Sequence, residues 1–107
     1  MNEYPLAMEE IVTWLHAKEQ SLPDVGVKLK DMRERHDRMP AVAADFDAGL
    51  ATGRINAWVS GEIDLEVLRS KDGENVFFGH VRVSKMDEPL LEEAYSDFVR
   101  IMVKHRA

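Results

Sequence analysis

The chain has 107 residues, of which 45% are hydrophobic and 32% are charged, a composition typical of one globular domain rather than of a disordered chain. It has no cysteine, which excludes disulfides and thiolate zinc sites and suits a reducing compartment. The N-terminal segment has no basic region followed by an apolar run, so no signal peptide is predicted, and no stretch approaches the ~18 apolar residues of a membrane span. We therefore predict a cytoplasmic protein with one domain over residues 1–107 and no membrane contact.

The net charge is −6 and is unevenly distributed. Residues 45–74 carry seven acidic and three basic side chains, and residues 87–97 carry five acidic and no basic ones. A negative surface repels nucleic-acid phosphates and attracts basic proteins at long range, although solubility alone would also explain it. The one candidate for nucleic-acid contact, residues 33–38, interleaves basic with acidic side chains, so no nucleic-acid partner is predicted.

Two helices are predicted before the first strand. Residues 5–20 form the first, because Ile11 and Leu15 stand on one helical stripe. The second is predicted over residues 21–38, where apolar residues recur at helical spacing and oppositely charged residues stand four apart. Gly26 disfavours this helix, and the apolar residues around it also alternate as they would in a strand.

From residue 40 onward the apolar residues follow the period of a strand. Four strands are predicted, over residues 42–47, 54–60, 62–68 and 76–84. Ser60-Gly61 and Asp72-Gly73 mark tight turns between the last three. Strands joined by such short connections favour an antiparallel meander with one face on the core and the other open to solvent.

A final helix is predicted from Asp87, its N-cap residue, to about Lys104. Its apolar stripe contains Leu91, Tyr95, Phe98 and Met102. We expect it to pack on the sheet face that carries Ile55, Ile63, Leu65, Phe77 and Val81. The predicted fold class is therefore α+β, with N-terminal helices, a four-stranded antiparallel β-meander and a C-terminal helix packed on one face of the sheet.

The strand residues of opposite parity are predicted to lie on the other sheet face. They include two aromatic residues, two acidic residues and a histidine, namely Trp58, Phe78, Asp64, Glu66 and His80. An exposed aromatic centre with an acidic rim is typical of a surface that binds a basic protein. The alternative is that the N-terminal segment or residues 45–53 fold over these side chains and cover them.

Two carboxylate pairs, Asp45 with Asp47 and Asp64 with Glu66, stand two residues apart on predicted strands. Such pairs can perform acid–base catalysis when burial separates their pKa values, but they are also the solvated half of any alternating strand. Asp45 and Asp47 therefore join the candidate partner-binding residues. The sequence has no metal-ligand array, nucleophile elbow or phosphate loop, so no metal, no cofactor and no enzymatic activity is predicted.

The segment GRINAWVSGEIDLEVL, residues 53–68, resembles the core motif of the TriTu-type immunity proteins, Gly-Arg-(apolar)-x-x-Trp-x-x-Gly-x-x-Asp-(apolar)-Glu-Val. The matching positions are Gly53, Arg54, Ile55, Trp58, Gly61, Asp64, Leu65, Glu66 and Val67. The resemblance extends more loosely over residues 42–102. Many of these proteins have Glu after the Trp, where this chain has Val59. They are small bacterial proteins encoded beside polymorphic and contact-dependent growth-inhibition toxins.

The resemblance implies that the chain neutralises a cognate toxin in the cytosol by binding the toxin's C-terminal domain. Such toxins are typically nucleases that act on tRNA, and an acidic sheet face would complement their basic RNA-binding surface. Two alternatives remain: an adaptor or chaperone-like protein of a secretion system, and a small enzyme that uses Asp45, Asp47 or His80. A neighbouring toxin gene, a secretion operon or a cleft with convergent carboxylates would distinguish the three.

Overall fold

The computed structural model describes residues 3–107; Met1 and Asn2, which the predicted single domain includes, lie outside the described residues. Within the described range, two α-helices flank five β-strands. In chain order the elements are α1 (Met8–Glu19), β1 (Lys28–Arg35), β2 (Ala41–Asp47), β3 (Ala51–Trp58), β4 (Glu62–Arg69), β5 (Asn75–Arg82) and α2 (Pro89–Lys104). A single 3-10 turn, Pro23–Val25, lies between α1 and β1.

The strands form one antiparallel sheet in the order β1-β2-β3-β4-β5, so β1 and β5 are its edges. Both helices pack on the same face, here called the core face: Ile11 of α1 and Phe98 of α2 are fully buried in the cluster that holds Ile55 and Leu65 of the central strands. The opposite face is called the open face. The predicted α+β class and the packing of the final helix on the sheet are confirmed, with five strands in place of four.

Aromatic side chains join the two helices to the sheet. The buried residues of α2 are those of the predicted stripe, Leu91, Tyr95, Phe98 and Met102. The ring of Phe98 meets that of Phe46 on β2 edge to face, with centroids 5.3 Å apart. Trp14 of α1 meets Tyr95 in the same way at 5.2 Å. Such pairs add to the energy of area burial, so these rings tie α1, α2 and β2 into one core.

Two glycines allow this arrangement. Gly53 lies on β3 beneath α2, where a Cβ would come 2.7 Å from Cζ of Phe98. Gly61 closes the turn between β3 and β4 with φ +97°, a left-handed conformation that favours glycine. A Cβ at Gly61 would also clash with the carbonyl oxygen of Val83. The first glycine therefore permits the close approach of a helix, and the second permits a tight turn.

The second predicted helix, over residues 21–38, is wrong. The chain makes only the 3-10 turn, which ends at Gly26 with φ +80°, and then continues as the edge strand β1. The two apolar residues of β1, Leu29 and Met32, stand three apart because of a bulge at Lys30, so the sequence lacks the apolar alternation that identifies a half-buried strand. The charged residues pair along and across strands rather than at helical spacing: Arg33 Nη1 lies 2.5 Å from Asp31 Oδ2 on β1 and 2.7 Å from Asp45 Oδ2 of β2.

The other boundaries differ from the predicted ones by a few residues, and α1 begins at Met8 rather than at residue 5. The N-cap residue of α2 is Glu88 and not Asp87. The Glu88 carboxylate accepts hydrogen bonds from the backbone N–H groups of Ser84 at 2.5 Å and Lys85 at 2.9 Å. These bonds set the start of α2, because they close the loop between β5 and the helix.

Candidate protein-binding face

Alternate strand residues place their side chains on the open face, and the strand register aligns them in transverse rows. One row contains Arg33, Ala43, Asn56, Asp64 and His80, and the next contains Asp31, Asp45, Arg54, Glu66 and Phe78. Trp58 and Asp47 fall in the rows on either side of these two. The open face therefore brings together all seven residues predicted to bind a partner: Asp45, Asp47, Trp58, Asp64, Glu66, Phe78 and His80.

Trp58 is half-buried at one end of the open face. It lines a shallow depression of about 240 Å³ together with Met39, Glu62, Asp64 and His80. Because α1 packs on the core face and residues 45–53 form the ends of β2 and β3 with their turn, neither α1 nor residues 45–53 fold over the indole. The side chain is thus available at the surface.

Phe78 projects from the edge strand β5 and is 58% exposed. Its neighbour across the strand pair is Glu66 of β4. Among the residues the structure describes, none forms an ion pair with Glu66: Arg54, which stands opposite it on β3, directs its Nε to Asp45 instead. An unpaired carboxylate therefore lies beside an exposed aromatic ring.

His80 is held between two carboxylates of β4. Its Nδ1 bonds to the carboxylate of Asp64, and its Nε2 lies 3.9 Å from Glu62 Oε1. Nearly half of the His80 side chain is exposed. No hydroxyl group of the described residues hydrogen-bonds to the ring, so the arrangement orients an imidazole at the surface without offering it a nucleophile to activate.

Asp45 is the centre of a charge network on the open face. Its Oδ1 accepts a hydrogen bond from Arg54 Nε at 2.7 Å, and its Oδ2 accepts one from Arg33 Nη1 at 2.7 Å. Burial opposes ionisation of the carboxyl group, but these two bonds outweigh burial and lower the pKa of Asp45. The carboxylate is therefore charged at neutral pH but already neutralised by two guanidinium groups, and it is not free to attract a basic partner.

Asp47 stabilises a turn. Its Oδ1 accepts the backbone N–H of Gly49 at 3.1 Å and so closes the turn from β2 into β3. Asp45 and Asp47 share a face, yet each is held by its own partners. No hydrogen bond of the described residues joins the two carboxyl groups.

The sequence-based prediction omitted three residues that shape the open face: Arg33, Arg54 and Glu62. Arg33 was predicted to lie on a helix, and the pairing of Arg54 with Asp45 depends on strand register. Glu62 could have been found, because it has the same parity as Asp64 on one strand. The face carries both signs of charge, and its acidic part is the β4 stripe of Glu62, Asp64 and Glu66.

The open face holds a further, larger depression than the one beside Trp58. This depression, about 520 Å³, is lined by side chains of both signs, including Lys30, Arg54, Asp45 and Glu66. Within residues 3–107, no group of three or more His, Asp or Glu side chains is placed to hold a metal ion. No helix in this range is both long enough and apolar enough to cross a membrane.

A meander with helices on one face and exposed aromatic and charged side chains on the other defines the class of the chain, a small α+β protein with an open sheet face. The family model described as immunity protein TriTu matches residues 9–101, and the chain belongs to this family. Membership indicates a toxin-neutralising role with a toxin protein as the partner. Searches of curated proteins and of solved structures gave no match.

The motif recognised in the sequence divides between the two faces. Gly53 and Gly61 serve the fold, through helix approach and turn geometry. Val59, which stands where many family members have Glu, is 3% exposed and belongs to the core, so it makes no contact on the open face. The polar and aromatic motif residues lie on the open face: Arg54, Trp58, Asp64 and Glu66.

Proposed function

We propose that this chain neutralises its toxin by binding the toxin's C-terminal domain with the open face, without catalysing a reaction. The observation that carries the proposal is that the half-buried Trp58 and the 58% exposed Phe78 lie on one sheet face with the β4 acidic stripe between them. Aromatic side chains anchor interfaces because they bury a large area at a small cost in conformational entropy. Membership of an immunity protein family indicates that the partner is a toxin protein.

The β4 acidic stripe supports a basic partner. Glu62, Asp64 and Glu66 occupy successive open-face positions of one strand. Asp64 and Glu62 share His80, whereas Glu66 has no ion-pair partner among the described residues. A nuclease that acts on tRNA, the toxin type that the resemblance implies, must hold phosphates on a basic surface. Carboxylates docked on that surface would exclude the RNA, and charge complementarity would speed association.

The first test is a binding titration against a catalytically inactive form of the toxin domain encoded beside this chain's gene. Trp58→Ala should weaken binding by about 2 kcal/mol or more, roughly thirtyfold in Kd, because it removes the proposed anchor. Leu50→Ala is the matched control, since Leu50 is also exposed and apolar, at 56%, but lies in the turn between β2 and β3. It should bind like the wild type.

The second test reverses charge on the stripe. Glu66→Lys should mainly slow association, and the loss should shrink at high salt because screening already removes the long-range attraction. Glu93→Lys makes the same change in net charge on an exposed position of α2, so it should slow association less. Normal binding by folded Trp58→Ala and Glu66→Lys variants would assign the toxin to another surface. A wild-type chain that does not bind the toxin would refute the function itself.

A further inference from the structure

The two edge strands, β1 and β5, differ in how readily a further strand could pair with them. Six of the eight residues of β1 are charged, and a bulge at Lys30 interrupts its pairing with β2. Charges and bulges are common means by which edge strands avoid pairing with a further chain. β5 has Arg82 as its one permanently charged residue, has no proline, and pairs regularly with β4 from Phe77 to Arg82. The β5 edge therefore lacks the protection that β1 has.

The backbone of β5 presents unpaired groups along this edge. The N–H of Val83 donates to the carbonyl oxygen of Gly61 at 2.8 Å, in the direction of β4. Backbone groups of successive strand residues point to opposite sides, so those of Phe78, His80 and Arg82 point away from β4. No strand of the described chain lies on that side. These residues can each offer one N–H donor and one carbonyl acceptor to an added strand.

One transverse row of open-face side chains ends on β5, at Phe78. Glu66 on β4 and Phe78 on β5 are direct neighbours, the first without an ion pair among the described residues and the second 58% exposed. A strand added at β5 would lie about 4.8 Å from β5 and about 10 Å from β4. A long basic side chain opposite Phe78 could lie across the ring and bring its charge to the Glu66 carboxylate.

We infer that the β5 edge pairs with an extended segment of the toxin, which adds a sixth strand and places a Lys or Arg opposite Phe78. The inference rests on the proposed function and adds the mode of recognition to it. The net charge of −6 opposes the pairing of two copies of this chain and favours a basic partner. The edge is continuous with the open face through Phe78 and Glu66, so backbone pairing and face contact form one interface.

Backbone amide hydrogen exchange, measured for the chain alone and with the inactive toxin domain, tests this pairing. The amides of Phe78, His80 and Arg82 should exchange quickly in the free chain and slow by at least about tenfold in the complex. The outward amide of Glu34 on β1 should not change. Binding without protection of the β5 amides would overturn the inference and leave the proposed function standing. Protection in the free chain that rises with its concentration would assign the edge to a second copy, which also overturns the inference.

Matched variants give an independent measurement. His80→Pro removes an outward N–H without removing a bond to β4, and proline is tolerated on edge strands. It should bind the toxin domain about tenfold more weakly than His80→Ala, which keeps the N–H. Glu34→Pro, the same change on the other edge, should bind like the wild type. Equal affinity of His80→Pro and His80→Ala would overturn the inference; if His80→Pro does not fold, exchange in the wild-type complex decides.

Discussion

Replacing Gly53 by Ala tests how closely α2 approaches the sheet. The added methyl group would lie 2.7 Å from Cζ of Phe98 and 2.9 Å from Sδ of Met102, well inside van der Waals contact. Phe98 is fully buried, and its ring lies against those of Phe46 and Tyr95, so it cannot turn aside without opening the core. We expect the free energy of unfolding to fall by roughly 1–3 kcal/mol, as in other overpacked cores.

Chemical or thermal unfolding measures this loss, and each kcal/mol should lower Tm by roughly 4–8 °C in a domain of this size. Gly79→Ala is the matched control, because its Cβ would meet only the edge of the partly exposed Phe77 ring, at 3.2 Å, and that ring can shift. In a Phe98→Leu background, Gly53→Ala should cost less, since the smaller side chain relieves the contact. A fully stable Gly53→Ala variant, or an equal loss in both backgrounds, would refute this account.

Two further predictions follow from shifted pKa values. The folded-state pKa of Asp45 is lowered. Asp45 therefore stabilises the fold above its unfolded pKa of about 3.9, and this stabilisation is lost as the pH falls through the folded value. Asp45→Asn should make the free energy of unfolding depend less on pH in the acid range. Burial, with the nearby Glu92 carboxylate, raises the pKa of Tyr95 to about 12, so the neutral phenol stabilises the fold up to about pH 10 and this effect is lost towards pH 12. The Tyr95 hydroxyl has no hydrogen-bond partner among the described residues, so Tyr95→Phe should keep its stability at pH 7 and lose the alkaline decline. Unchanged pH profiles would contradict both.

Four strands and the last helix were predictable because each has one side on the core. The burial of β3 alternates residue by residue from Ala51 to Trp58, and apolar residues therefore mark its core face in the sequence. The turns at Gly61 and Gly73 have positive φ, a requirement that Ser-Gly and Asp-Gly already indicate. In these segments local preference and tertiary packing favour the same structure.

The edge strand β1 was not predictable in the same way, because six of its eight residues are charged and the bulge at Lys30 spaces its two core-contacting residues, Leu29 and Met32, three apart instead of two. Parity likewise assigns a side chain to a face but not to a partner. Asp45 and Glu66 have the same parity signal, yet Arg33 and Arg54 neutralise Asp45 and leave Glu66 unpaired. That difference arises from contacts across strands, and β1, which carries Arg33, is predicted from the sequence to be a helix.

The two faces of β3 separate stability from binding. Gly53 and Trp58 lie on one strand, but Gly53 faces Phe98 in the core and Trp58 faces the open side with Met39. Gly53→Ala should therefore lower stability and leave the affinity of the folded protein for the toxin unchanged, while Trp58→Ala should lower affinity with a smaller effect on folding. Because the two sites share no partner, their effects on each quantity should add within about 0.5 kcal/mol in the double variant. A larger coupling would show that the position of α2 is transmitted through β3, and that toxin recognition depends on how the core is packed.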